Sequence, residues 1–245
     1  MKVKYFTLPN IITLGNLACG TMAALCAVSS IWSPETVSLK VPLLLILLSA
    51  LLDFCDGLAA RLTGQYSALG VQLDSLADMV SFGLTPSLVL VAMFEKGGGV
   101  GAWWLVALAV VLCSALRLAR FNIDEEQKEE FIGLPTPACA IAIGSLAWAV
   151  EEGVFVLSPS VILAVAIVFA WLLISPIRMF SLKFKGFSLK TPANRLRYVF
   201  LLVAAVVIII GGLSAAWAVI ALYILISLIR TLTAGCHCCC HRREK

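Results

Sequence analysis

The sequence predicts an all-α fold, a polytopic bundle of about eight membrane-spanning helices with both termini in the cytoplasm. Three observations carry that expectation. The 245-residue chain is 61% hydrophobic and 13% charged, which argues against a soluble globular domain. Its apolar runs approach the roughly 20 residues that cross about 30 Å of hydrocarbon. Its basic residues gather on one side of the spans so defined, the side that stays in the cytoplasm under the positive-inside rule.

The spans fall near residues 9–31, 41–62, 71–94, 101–121, 136–156, 159–178, 196–212 and 214–232. The opening "MKVKYFTLPNIITLGNLACG" pairs a basic start with an apolar stretch in the manner of a signal peptide, yet further spans follow, so it reads as the first helix. Spans two and three are joined by a turn through "TGQYSALG". Span four ends in "RLARFN" and is followed by "DEEQKEE", a solvated loop. "GLPTPA" leads into span five, where Gly133, Pro135 and Pro137 order the chain and have no catalytic part.

Between spans six and seven, "RMFSLKFKGFSLKTPANRLR" alternates basic and aromatic residues, as a segment at the headgroup surface does. At Gly211 and Gly212 a turn between two short spans competes with one kinked helix. Residues 1–235 form one membrane domain, and "CHCCCHRREK", residues 236–245, a Cys/His-rich basic tail. Its adjacent cysteines and histidines lack the separated pairs of a zinc site, so it reads as disordered and reduced. Cys19, Cys26, Cys55, Cys113 and Cys139 lie within spans as small packing residues. On this topology Arg61, Arg117, Arg120, Arg178 and Arg230 are cytoplasmic with most other cations; Lys40 and Lys96 lie opposite. The modest net charge of +4 gives no sign of a nucleic-acid partner.

Against this apolar background, "DFCDGLAARLTGQYSALGVQLDSLAD" carries four aspartates and an arginine. On a helix Asp53, Asp56, Gly57, Ala60 and Arg61 share one stripe, and Asp74 and Asp78 share another. The intervening turn brings the stripes together at the cytoplasmic membrane surface, with small Gly57, Ala60 and Gly70 permitting close approach. Ionisable groups inside a membrane are costly and mark function; four converging carboxylates repel one another unless cations are present. Solvated ends, or pairing with Arg61, is the plainer account of any one of them. Oxygen donors with no histidine nearby favour Mg²⁺, Mn²⁺ or Ca²⁺ over Zn²⁺, the only histidines being His237 and His241 in the tail.

Asp53, Asp56, Gly57, Ala60, Arg61, Gly70, Asp74 and Asp78 resemble, position for position, the signature of the CDP-alcohol phosphotransferases. The resemblance implies a site for two divalent metal ions, Mg²⁺ or Mn²⁺, and transfer of a phosphatidyl group from a CDP-linked lipid to an alcohol with release of CMP. It implies Asp53, Asp56, Asp74 and Asp78 as metal ligands, Asp78 also as the general base, and Gly57, Ala60 and Arg61 as positions facing the CDP moiety. It further implies a homodimer, and the charge asymmetry puts the site on the cytoplasmic face of what is expected to be the plasma membrane. "LPNIITLGNLACG", "SLADMVSFGLTPS", "RLARFN" and "GLPTPA" are similar to the serine-accepting branch of that family, which makes phosphatidylserine from CDP-diacylglycerol or an archaeal CDP-linked ether lipid.

Serine carries a carboxylate and an ammonium, so Arg117, Arg120 and Asn122 are the candidates for its site, with membrane anchoring as the other account of the arginines. Lys185 is the candidate for the donor's pyrophosphate. Two alternatives stay open: the same chemistry on glycerol phosphate, inositol or inositol phosphate, and a divalent-cation transporter, which buried aspartates on paired helices also suit.

Overall fold

The computed structural model describes residues 5–33, 37–123, 131–179 and 192–241. Nine α-helices are present among them: α1 (Leu8–Trp32), α2 (Lys40–Thr63), α3 (Ala68–Asp78), α4 (Thr85–Lys96), α5 (Ala109–Ile123), α6 (Thr136–Glu151), α7 (Pro159–Ile174), α8 (Pro192–Gly211) and α9 (Ala216–His241). α3 and α4 are the two halves of a continuous 29-residue span, Ala68–Lys96, joined by a π-helical segment, Met79–Leu84. α5 completes a span that starts in a 3₁₀ stretch, Gly101–Leu108. Among the described residues six helices are long and apolar enough to cross a membrane, and α6 and α7 are shorter apolar helices. The membrane-helix class expected from the sequence is therefore the observed one.

Local chemistry explains the turns. Thr7 caps α1, its hydroxyl accepting from the backbone N–H of Asn10, with Pro9 in the first turn. α2 stops at Gly64, which adopts a left-handed φ of 65° while its N–H returns to the carbonyl of Ala60. Three residues later the Ser67 hydroxyl accepts the N–H of Gly70 at 2.9 Å and starts α3. "TGQYSALG" is thus a tight helix–helix turn whose ends are both capped.

Spans five and six end earlier than the expected 156 and 178. α6 packs among α2, α4 and α9 and buries Cys139, Ile143 and Ala147, so protein surrounds much of it and a full-length lipid-facing helix is not required. α7 ends at Ile174 because Pro176 follows, and Ser175 before it is extended (ψ 151°). Gly212, at φ 64° and ψ −161°, separates α8 from α9, so two helices replace the kinked alternative. The helical backbone of α9 continues to His241, further than the disordered tail expected from residue 236; propagating an existing helix costs little compared with starting one.

The core lies around α4, α6 and α7, with Val89, Leu90, Leu134, Ile143, Ile162 and Leu173 fully or almost fully buried. "GLPTPA" orders the approach to α6 as expected. Phe131 and Ile132 pair antiparallel with Met179 and Arg178, the N–H of Gly133 reaches the carbonyl of Ile177, and that of Leu134 reaches Leu172. Gly133 has a φ of 77°, and a Cβ there would lie 2.5 Å from the carbonyl oxygen of Leu173.

One end of the bundle gathers the start of α1, the end of α2, the start of α3, the end of α5 and the start of α6. The other end carries a charged clasp. Glu152 accepts from Lys40 at 3.0 Å and from the indole N–H of Trp148 at 2.6 Å. Glu151 accepts from Ser38 at 2.6 Å and the backbone of Leu39 at 3.2 Å, with Lys96 at 3.6 Å.

Candidate active site

The α2–α3 turn folds two stripes of carboxylates against each other. Ligand oxygens of Asp53, Asp56 and Asp74 lie within 4.8 Å of one another, and Asp56 is only 6% exposed. Two ionised carboxylates as close as Asp53 and Asp74 repel one another and need a shared proton or a cation between them. Oδ1 of Asp74 is buried with no hydrogen-bond partner, an orphaned acceptor in a cluster of acceptors. An all-oxygen set of this kind fits a hard divalent cation. Asp78 lies one helical turn beyond Asp74, outside the three-residue group and within electrostatic reach of all three.

α1 supplies the donors. Asn10, Thr13 and Asn16 form a buried polar stripe along the first half of a largely apolar helix. The Thr13 hydroxyl donates to Oδ2 of Asp56 at 2.6 Å, and the Asn16 amide donates to Oδ1 of Asp78 at 3.3 Å. Close packing makes these bonds possible: Gly20 of α1 lies where a Cβ would sit 2.7 Å from Cα of Ser81. In addition, the Thr85 hydroxyl donates to the carbonyl of Gly20 at 2.9 Å.

Beside the carboxylates lies a cavity of about 150 Å³ lined by Pro9, Thr13, Asp56, Gly57, Ala60 and Gly70, among others. Two of the positions expected to face a nucleotide, Gly57 and Ala60, line it. Arg61 does not: it is exposed, and its Nε donates to the carbonyl of Gly57 on its own helix at 2.9 Å. A Cβ at Gly70 would meet the Asn10 side chain and Ser67 hydroxyl at 3.2 Å, so the glycine keeps this wall thin.

A second cavity, of about 240 Å³, opens between α5, α7 and Ile132, with Arg117 and Arg120 on its wall beside Leu173, Ile174 and Ser175. Nε of Arg117 is buried without a partner, a terminal nitrogen reaches Thr136 at 3.5 Å, and the guanidinium is within electrostatic reach of Asp78. Asn122 is not in this cavity; its amide donates to Ser75 of α3 at 2.9 Å. Lys185 lies outside the described residues.

Thr13 and Asn16 escaped the sequence reading of individual site residues. The signal available was their spacing with Asn10, at i, i+3 and i+6, on a helix with no other reason to bury amides and hydroxyls on one face.

Residues 6–176 match the family model described as CDP-alcohol phosphatidyltransferase. The chain is 36% identical over 138 residues to a CDP-diacylglycerol--serine O-phosphatidyltransferase of Bacillus subtilis, covering 56% of this chain and 72% of that protein. It is 40% identical over 122 residues to a protein of the same description from Mycobacterium tuberculosis, covering 46% and 42%. It is also 32% identical over 144 residues to an archaetidylserine synthase of Methanothermobacter thermautotrophicus, covering 58% of each. The chain spans about half the length of most of these curated relatives.

Proposed function

The chain belongs to the CDP-alcohol phosphatidyltransferase family, and from that premise we propose that it transfers a phosphatidyl group from CDP-diacylglycerol, or an archaeal CDP-linked ether lipid, to the hydroxyl of L-serine. The products are phosphatidylserine, or its ether counterpart, and CMP. The observation that carries this reading is the convergence of Asp53, Asp56 and Asp74 beside a cavity walled by Gly57 and Ala60, with Asp78 one turn away.

Asp53, Asp56 and Asp74, joined by Asp78, would hold the divalent metals. When bound, Mg²⁺ or Mn²⁺ offsets the negative charge that builds on the leaving CMP phosphate. The chain's own groups do the rest. Gly57, Ala60 and Gly70 leave room for the CDP moiety, and Thr13 holds Asp56 from behind. Asp78 takes the proton of the serine hydroxyl as its oxygen bonds to the lipid-bearing phosphorus and the bond from that phosphorus to the CMP oxygen breaks. Arg117 and Arg120 receive the serine carboxylate in the second cavity, a role supported by the unpartnered Nε of Arg117 and its reach toward Asp78.

In this reading Asn122 braces α5 against α3 through Ser75, the site faces the cytoplasm of the plasma membrane, and the working unit is a homodimer. Light scattering of the detergent-solubilised protein checks the last point, a monomeric mass counting against it. Lys185 keeps its proposed place at the donor's pyrophosphate, where Lys185→Ala should raise the KM for the CDP-lipid and leave that for serine unchanged.

CMP release from purified protein with CDP-diacylglycerol and Mn²⁺ tests the whole, using serine, glycerol 3-phosphate, inositol and inositol phosphate in turn. Serine-specific release that chelator abolishes and Asp78→Asn eliminates is the expected result. A different preferred acceptor removes the serine assignment alone. No release with any acceptor, ether-lipid donor included, together with Mn²⁺ flux into liposomes, replaces the enzyme by a transporter.

A further inference from the structure

We infer that Asn16, with its amide oriented by Ser81, is a positioning residue that sets the rotation of the Asp78 carboxylate. The inference rests on the proposed role of Asp78 and adds to it a group on a different helix. Asn16 is 0% exposed, in the middle of a membrane span, where a primary amide is retained only if its donors and acceptor are used. Its Nδ2 donates to Oδ1 of Asp78 at 3.3 Å, while its Oδ1 accepts the Ser81 hydroxyl at 2.7 Å. The two bonds allow one orientation of the amide. Turned over, the amide would place its carbonyl oxygen against a carboxylate, two acceptors face to face.

The backbone carbonyl of Asn16 is held as well, accepting the Ser49 hydroxyl of α2 at 3.2 Å. Asn16 is therefore tied to α2, to the π-helical segment and to Asp78 at once. Among the described residues it is the hydrogen-bond donor recorded on Asp78. The bridge needs a planar group with an acceptor and a donor on one carbon, which a primary amide supplies without having to be protonated. Ser81 reaches the amide because it stands in the π-helical segment pressed against Gly20, a backbone form often found at functional sites.

The test compares wild type with Asn16→Ala, Asn16→Leu and Ser81→Ala, purified in detergent. Two readouts are taken: steady-state CMP release with CDP-diacylglycerol and serine, and Mn²⁺ binding without substrates, followed by the electron paramagnetic resonance of free Mn²⁺. Both Asn16 variants should lose about 10- to 100-fold in kcat, the range for removing a hydrogen-bond partner of a metal-site carboxylate, with the KM of each substrate within about twofold. Their Mn²⁺ midpoint should rise in parallel. Ser81→Ala should move both readouts the same way by about fivefold, since it frees the amide but keeps the donor.

A folded Asn16→Leu with wild-type kcat would show a space-filling role and overturn the inference, as would loss carried by KM alone. If the Asn16 variants do not fold, Ser81→Ala decides, and unchanged kcat and Mn²⁺ midpoint there overturn it. A wild type that releases no CMP while the Asn16 variants shift the Mn²⁺ midpoint removes the proposed reaction and leaves the positioning role standing. An active wild type with unaltered variants does the reverse.

Discussion

Replacing Gly20 by alanine tests the packing that the candidate site depends on. A Cβ at this position would lie 2.7 Å from Cα and 2.8 Å from Cβ of Ser81. Carbon atoms pack at about 3.5–4.0 Å, so α1 and the π-helical segment must separate by about 1 Å. That movement stretches the 3.3 Å bond from Asn16 to Asp78 past hydrogen-bonding range and lengthens the 2.9 Å bond from Thr85 to the carbonyl of Gly20. Overpacking of this kind costs about 1–3 kcal/mol of stability. A misplacement of about 1 Å at a reacting group costs on the order of 100-fold in rate. Gly20→Ala should therefore lower both the thermal unfolding midpoint in detergent and the kcat for CMP release, with kcat falling the further in proportion. Adding Ser81→Ala should not rescue it, because the backbone Cα remains in the way. A Gly20→Ala protein with wild-type kcat, or a double variant restored to it, would refute the reasoning.

Asp74→Asn should weaken Mn²⁺ binding by more than the roughly 10- to 100-fold that loss of a ligand's neighbour costs, since it removes the orphaned buried oxygen's charge; titration followed by free-Mn²⁺ resonance checks it. Gly133→Ala combines a φ of 77° with a Cβ 2.5 Å from the carbonyl of Leu173. Left-handed strain alone costs about 1–3 kcal/mol, so unfolding at a markedly lower temperature is expected, and an unchanged midpoint would contradict the structure. At the opposite end, hydrogen bonds from Trp148 and then Lys40 hold the Glu152 carboxyl below its ordinary value of 4.5. A group lowered in the folded state stabilises fully above its unfolded value and loses that contribution as pH falls through the folded one. The midpoint difference between wild type and Glu152→Gln should thus shrink on going from about pH 7 to about pH 3; a constant difference would remove the clasp from the account.

The span positions and the aspartate stripes were legible because both rest on short-range periodicity. Asp53 to Arg61 and Asp74 to Asp78 lie on α2 and α3, and the capped turn at Gly64 and Ser67 needs only local chemistry. The contribution of α1 was not legible in the same way. Its bonds join Thr13 to Asp56 and Asn16 to Asp78, across 43 and 62 residues, and no local pattern encodes such a pairing. The π-helical segment was hidden for another reason, since extending α-helical spacing beyond Asp78 assumes a uniform turn. The early end of α6 was not legible because hydropathy registers apolar residues whether lipid or protein covers them. Arg61 turned back on α2 and Asn122 bonded to Ser75 are side-chain choices among several that their backbone positions allow.

The polar stripe on α1 also bears on how the protein is made. Synthesis delivers this helix to the membrane ahead of α2 and α3, carrying Thr13 and Asn16 before their carboxylate partners exist. Its length and apolar remainder are enough for it to cross before those carboxylates arrive. Arrival of α2 and then α3 brings carboxylates that are themselves difficult to insert. Each newcomer finds a donor already waiting on its predecessor: Thr13 for Asp56, then Asn16 for Asp78. α1 thus presents, in chain order, the donors that the buried carboxylates of α2 and α3 require.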